Sequence, residues 1–140
     1  MNAVKTIALI AVATLLPAGC AIFTPATNSE IVAQRAQQRW DRLIEGDLKG
    51  AYEYLSPATR EIKTLQHYTR EVRGLGIWKA ATITPDAVVC EKEQPLCVAT
   101  VQVTTEIKHP RIPEAITGSS PVEEKWLYDE KSQNWWYIPK

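Results

Sequence analysis

The chain has 140 residues, enough for one domain around a single core and too few for two large ones. Sixteen basic side chains balance sixteen acidic ones, which removes the electrostatic case for nucleic acid or an anionic surface as partner. Five tryptophans are many for this length and predict a core or cleft lined by large rings.

Lys5 and the terminal amine precede an apolar run from Thr6 to Leu16, and the small residues Pro17-Ala18-Gly19 follow it. This is the three-part order of a secretory signal. The run falls short of the ~20 apolar residues that a membrane-spanning helix needs. Its end, Leu15-Leu16-Pro17-Ala18-Gly19-Cys20, resembles the lipobox of bacterial lipoproteins. Ala18, Gly19 and Cys20 match that pattern, and Pro17 stands where an aliphatic residue is usual, with Leu16 one step earlier.

The resemblance implies that residues 1–19 are removed and that Cys20 is lipidated. A diacylglycerol on the thiol, often with a third chain on the new amine, makes the membrane a partner. At ~0.8 kcal/mol per buried methylene, two or three chains hold a protein where one does not. Ala21 follows the cysteine, not the Asp that often retains such proteins at the inner membrane. The expected location is therefore the outer membrane, facing the periplasm. The remaining 121 residues carry 15 basic and 16 acidic side chains, a net charge of minus one.

Residues 20–29 read as the lipidated cysteine and a short tether. At ~3.5 Å per residue, Ala21 to Thr27 spans only ~25 Å and keeps the domain, residues 30–140, near the bilayer. Ile22 and Phe23 suit either the membrane interface or the surface of the domain.

The first helix starts at Thr27 or Asn28, where Thr27-Asn28-Ser29-Glu30 has capping-box spacing. Val32, Ala36, Trp40, Leu43 and Ile44 form its apolar stripe, and Gln34, Arg35, Gln38, Arg39 and Arg42 cover the rest. Gly46 ends it and Asp47 caps a short second helix, Leu48 to Leu55. Ser56-Pro57 opens a third, running to about Arg73 with Ile62, Leu65, Tyr68, Thr69 and Val72 inward, before Gly74 and Gly76 break it.

Strand patterns follow. Ile77 to Thr84 is the first, and Ala87 to Glu91 is a second strand or the end of a bent first one. Leu96 to Lys108 is the clearest, with Cys97, Ala99, Val101, Val103, Thr105 and Ile107 on one face. His109 to Pro121 reads as a loop. Val122 to Tyr128 and Trp135 to Ile138 make a final hairpin around Asp129 to Asn134. Helices first and four to five antiparallel strands after them define an α+β fold, with the helices packed on a curved sheet.

Trp40, Gly46-Asp47, Ala51-Tyr52, Leu55-Ser56-Pro57 and the late tryptophan-bearing hairpin are similar to the nuclear transport factor 2-like superfamily over roughly residues 30 to 139. The resemblance implies a cone with a pocket between helices and sheet. It implies no reaction, because such folds serve enzymes, binders and assembly factors alike.

Cys90 and Cys97 remain once Cys20 carries lipid. Six residues separate them, with Pro95 in the turn, so they face each other across a hairpin and are expected to form a disulfide in an oxidising compartment. A metal site would need further ligands, and His67 and His109 are both far away in sequence. No metal and no cofactor are expected. His67 reads as a solvated surface residue and His109 as a loop residue.

Glu124 is the one acid of interest. It shares a strand face with Val122, Trp126 and Tyr128. Inside the cone mouth its carboxylate would lie among rings and could move protons. Near the strand end, or paired with Arg or Lys, it would be chemically quiet, and Glu124→Gln nearly silent. The second is the expectation, so Glu124 is only a weak catalytic candidate. Trp40, Tyr52, Tyr68 and Trp126 are the expected pocket walls. One ring of Trp135-Trp136 should be core and the other should face outward.

No nucleophile with a paired base is visible. The expected function is a non-enzymatic binding or accessory module of an envelope complex, taking an envelope protein or an apolar small ligand. The alternatives are a small isomerase- or dehydratase-type enzyme using Glu124 with a tyrosine as hydrogen-bond donor, and a purely structural envelope protein.

Overall fold

The computed structural model describes residues 26–140. Residues 1–19, Cys20 and most of the tether lie outside them. Helix α1 spans Asn28–Glu45 and opens with a complete capping box. Glu30 N–H donates to Thr27 Oγ1 at 3.3 Å, and Thr27 N–H donates to Glu30 Oε2 at 2.6 Å. That backbone donor holds the Glu30 carboxyl below its ordinary value. Gly46, at φ 79°, takes the left-handed conformation that ends the helix.

Asp47 caps α2, Leu48–Tyr52, by accepting from Gly50 N–H at 2.9 Å. This helix is three residues shorter than its pattern predicts, because the chain turns to reach the sheet. Tyr54 C=O accepts from Tyr137 N–H at 2.9 Å, and Leu55 bridges Tyr137 in parallel.

The expected third helix is two. Ser56 caps α3, Pro57–Ile62, and Thr64 caps α4, Leu65–Glu71, by accepting from His67 N–H. Two features cause the break. Thr64 is a strong N-cap residue, and the Tyr52 hydroxyl donates to the carbonyls of Arg60 and Lys63, at 3.2 and 2.7 Å. The break turns Ile62 out to 86% exposure and leaves Thr69 exposed, although both fit an inward stripe.

The sheet holds β1 (Trp78–Thr82), β2 (Val88–Cys90), β3 (Leu96–Ile107), β4 (Ile116–Asp129) and β5 (Asn134–Ile138). All pairings are antiparallel, in the order β1-β3-β4-β5, and β2 also pairs with β3 beyond the end of β1. The fold is α+β, with helices followed by a curved, unclosed sheet of five strands.

The expected loop His109 to Pro121 is half strand. Ile116–Pro121 pairs in unbroken register with Ile107–Gln102 of β3. The ladder started by stronger strand residues carries on through Gly118, Ser119 and Ser120, whose own β-propensity is low.

One face of α1, with Val32, Ala36, Trp40 and Leu43, is buried with Cys97, Ala99, Val101 and Val103 of β3. Trp126 and Trp135 complete this core. At ~25 cal/mol per Å² of apolar surface, these rings and β-branched residues supply most of the driving force.

Cys90 and Cys97 sit directly opposite in the β2–β3 register, Cα atoms 3.9 Å apart, and form a disulfide. The first turn of α1 lies at this end, where Ser29 Oγ is 3.8 Å from Cys90 Sγ. Three-residue β2 is short for an independent strand, so the bridge fastens it. Replacing both cysteines with alanine is expected to cost about 2–3 kcal/mol by restoring the freedom of a short loop in the unfolded chain. A urea midpoint that does not move would show that the ladder alone holds β2.

Candidate functional site

The cleft opens between α1, the end of α4 and the inner face of β4 and β5. Its volume is about 290 Å³. Trp40, Tyr68, Trp78 and Tyr137 supply rings, and Leu43, Val72 and Val122 supply aliphatic wall. Glu71, Glu123 and Lys140 also line it, beside Pro139. Trp40 and Trp78 meet edge to face, with centroids 5.1 Å apart.

Of the expected walls, Trp40 and Tyr68 line the cleft, while Tyr52 and Trp126 do not. Tyr52 stands behind Tyr68, with ring centroids 5.6 Å apart, and its hydroxyl is spent on the helix break. Trp126 is wholly buried. The strand face was read correctly for Trp126, but the ring lies one layer deeper, between Tyr54 and Tyr137.

Trp78 and Tyr137 were not among the expected walls. Tyr137 shares a strand face with the buried Trp135, and that parity could have found it. Trp78 is held by the turn before it. Gly74 has φ 98°, and a Cβ there would lie 2.3 Å from the Trp78 ring.

Glu124 lies at the floor of the cleft, 3% exposed, paired with Arg39 at 5%. Arg39 Nη1 and Trp40 Nε1 both donate to Glu124 Oε1, the indole at 2.9 Å. Arg39 Nη2 donates to the Tyr68 hydroxyl at 3.3 Å, and its guanidinium lies 3.7 Å from the Tyr137 ring centre. Glu124 Oε2, Arg39 Nε and Trp126 Nε1 are buried without a hydrogen-bond partner.

Two expectations are corrected here. Arg39 was placed on the solvated side of α1, yet it faces the core. Its spacing gives the reason, because 32, 36, 39 and 43 form one helical stripe. Glu124 was expected to be quiet because it lies at the surface or has a basic partner. The partner is present and the surface position is not.

Burial pushes the Glu124 carboxyl above its ordinary value, against the pull of Arg39 and the Trp40 indole. Burial pulls the Arg39 guanidinium down, but the Glu124 carboxylate together with Tyr68 and Tyr137 more than offsets it and leaves it above its ordinary value. Burial also pushes the Tyr137 phenol up. The pair therefore joins α1 to β4 as a buried ionic contact beneath apolar walls.

The remaining candidates lie apart. His67 is exposed and pairs with Glu71 at 3.0 Å. His109 Nδ1 accepts from Arg111 N–H in the β3–β4 connection. Trp135 is core, and Trp136 lies outside it, with Arg35 and Arg60 over its ring at 5.3 and 5.8 Å. Among the described residues no three His, Cys, Asp or Glu side chains gather as a metal site. No described helix is long and apolar enough to cross a membrane. Comparison with known proteins finds no matching family profile, no matching curated protein and no matching solved structure.

Gly74→Ala is expected to cost about 1–3 kcal/mol, since alanine must hold a left-handed backbone against a ring. The near-ultraviolet circular dichroism of the Trp40–Trp78 pair should weaken with it. An unchanged spectrum and stability would show that the turn does not set Trp78.

Arg39→Met removes the main opposition to burial at Glu124, leaving the Trp40 indole, and drives its carboxyl higher still. A carboxyl raised in the fold lends stability below its ordinary value and loses it as pH rises through the folded value. The variant should therefore lose about 3–5 kcal/mol near neutral pH, the usual cost of an orphaned buried charge. It should regain much of this in acid, and Arg39→Met with Glu124→Leu should regain it at any pH. Additive losses in the double variant would refute the coupling.

Proposed function

We propose that the chain is an envelope lipoprotein, anchored through Cys20 at the outer membrane and facing the periplasm. Its nuclear transport factor 2-like domain serves as a non-enzymatic binding module. One observation carries the binding part. The cleft is open and ring-walled, and the two charges at its floor, Arg39 and Glu124, are paired with each other. Such a site gains free energy by burying apolar surface and needs no proton transfer. The signal-like residues before Cys20 support the anchor.

An isomerase- or dehydratase-type enzyme is the second reading. It draws on the raised Glu124 carboxyl beneath a cleft. Against it, the Tyr68 hydroxyl meets Arg39 instead of Glu124. The Oε1 atom of Glu124 already accepts two donors.

The anchor is tested by Cys20→Ser, which should leave the membrane fraction or remain an uncut precursor. Wild-type fractionation and migration of that variant would end the lipoprotein reading. The cleft is tested with full-length protein in lipid nanodiscs, labelled with 5-fluorotryptophan and titrated with toluene. The fluorine resonances of Trp40 and Trp78 should shift while that of Trp135 stays. Trp78→Ala should weaken the effect about tenfold or more, the loss of one large wall contact. Shifts equal at all tryptophans would reject the cleft as the site.

A further inference from the structure

Strand β5 covers only part of β4. It pairs with Lys125–Asp129, and its last paired residue is Ile138. Among the described residues, Ile116–Glu124 of β4 have β3 on one side and no strand on the other.

The direction of the free backbone groups follows from one bond. Tyr128 N–H turns toward β3 and donates to Pro95 C=O at 2.8 Å. Backbone groups alternate in direction along a strand, and the β3–β4 register has no shift. Even-numbered residues of β4 therefore bond β3. Thr117, Ser119 and Glu123 present N–H and C=O to the open side, and Pro121 presents its C=O alone. The missing N–H of Pro121 falls where a sheet tolerates it, at an open edge.

The same stretch is a wall of the cleft, through Val122 and Glu124. A free sheet edge and an apolar cleft thus meet on one short piece of β4. A small apolar ligand would use the cleft and leave the edge bare. An extended chain uses both, since its side chains alternate in the sheet's own two-residue period.

The position of the described N-terminus says whose chain this is. α1 begins beside the disulfide. The cleft lies at the other end of α1, where Arg39 is eleven residues on, ~17 Å at 1.5 Å per residue. Residues preceding Ala26 thus join the domain at the end remote from the edge.

We propose that an extended peptide segment of a partner protein docks on β4 as a sixth strand, in the lane that β5 leaves at Pro139. Its backbone bonds Thr117, Ser119 and Glu123, and alternate apolar side chains enter the cleft. This rests on the binding reading and names its ligand.

The test uses full-length protein in lipid nanodiscs and fluorescein-labelled heptapeptides with Leu or Phe at alternate positions and Thr between them. Saturable binding is expected, with slowed amide exchange across Thr117–Glu123. N-methylation of the peptide amides that face the edge should weaken binding about tenfold or more. Ser119→Pro should weaken it likewise, while toluene still shifts Trp40 and Trp78. If that variant misfolds, the N-methylated peptides on wild-type protein decide alone. Equal binding of methylated and unmethylated peptides would overturn the proposal. So would peptides that fail to bind while toluene binds, an outcome that leaves the binding reading intact. Failure of both probes would remove that reading as well. Protection of the same amides by concentration-dependent dimerisation would assign the edge to a second copy and overturn the peptide.

Discussion

The contact between Arg39 and Glu124 ties the helical layer to the sheet at the point where the cleft begins. Two charges withdrawn from water are each costly alone and tolerable together. Arg39 comes from the fourth turn of α1 and Glu124 from the middle of β4, 85 residues later. Sliding α1 by one residue on the sheet would leave both groups buried and unpaired. Apolar packing between α1 and β3 tolerates small shifts, but this contact does not. The Trp40 indole and the Tyr68 hydroxyl join the same cluster, so two rings of the cleft are fixed with it.

The cleft is what remains above that pair once the helices have been placed. A single long third helix would run on past Ile62 without changing direction. The break at Lys63-Thr64 instead makes two short helices, and the second brings Tyr68 and Val72 to the wall. Tyr52 holds the break from behind. Gly74 then lets the chain pass beneath Trp78 so that this ring can meet Trp40. The opening thus depends on chain-reversing residues as much as on its rings.

The free stretch of β4 and the cleft share an origin. β4 is fourteen residues long and β5 only five. The sheet is therefore unfinished beside its own cavity. Pro121 and Glu123 on that edge limit indiscriminate pairing, because a missing donor and a charge both discourage it. An edge protected in this way can stay exposed without aggregating and can still accept a strand of suitable pattern.

Local patterns carried much of the architecture. Thr27 and Glu30, Gly46 and Asp47, and Ser56-Pro57 mark helix ends through bonds made within four residues. The alternation from Cys97 to Val103 marks a strand buried on one face. The hairpin of Cys90 and Cys97 follows from their spacing alone. What needed the tertiary structure was every contact between distant segments. Arg39 looks like a solvated charge, and Glu124 like an acid without a named partner, until the other is in view. Trp126 and Tyr52 lie on the expected faces of their elements, yet depth below a surface is set by what packs over them. Ile116 to Ser120 has weak strand propensity and becomes strand because β3 offers its ladder. Sequence determines which way a side chain faces, since that depends on local periodicity. Only the packed fold decides whether that face meets water, a ring or an opposite charge, because those neighbours come from elsewhere in the chain.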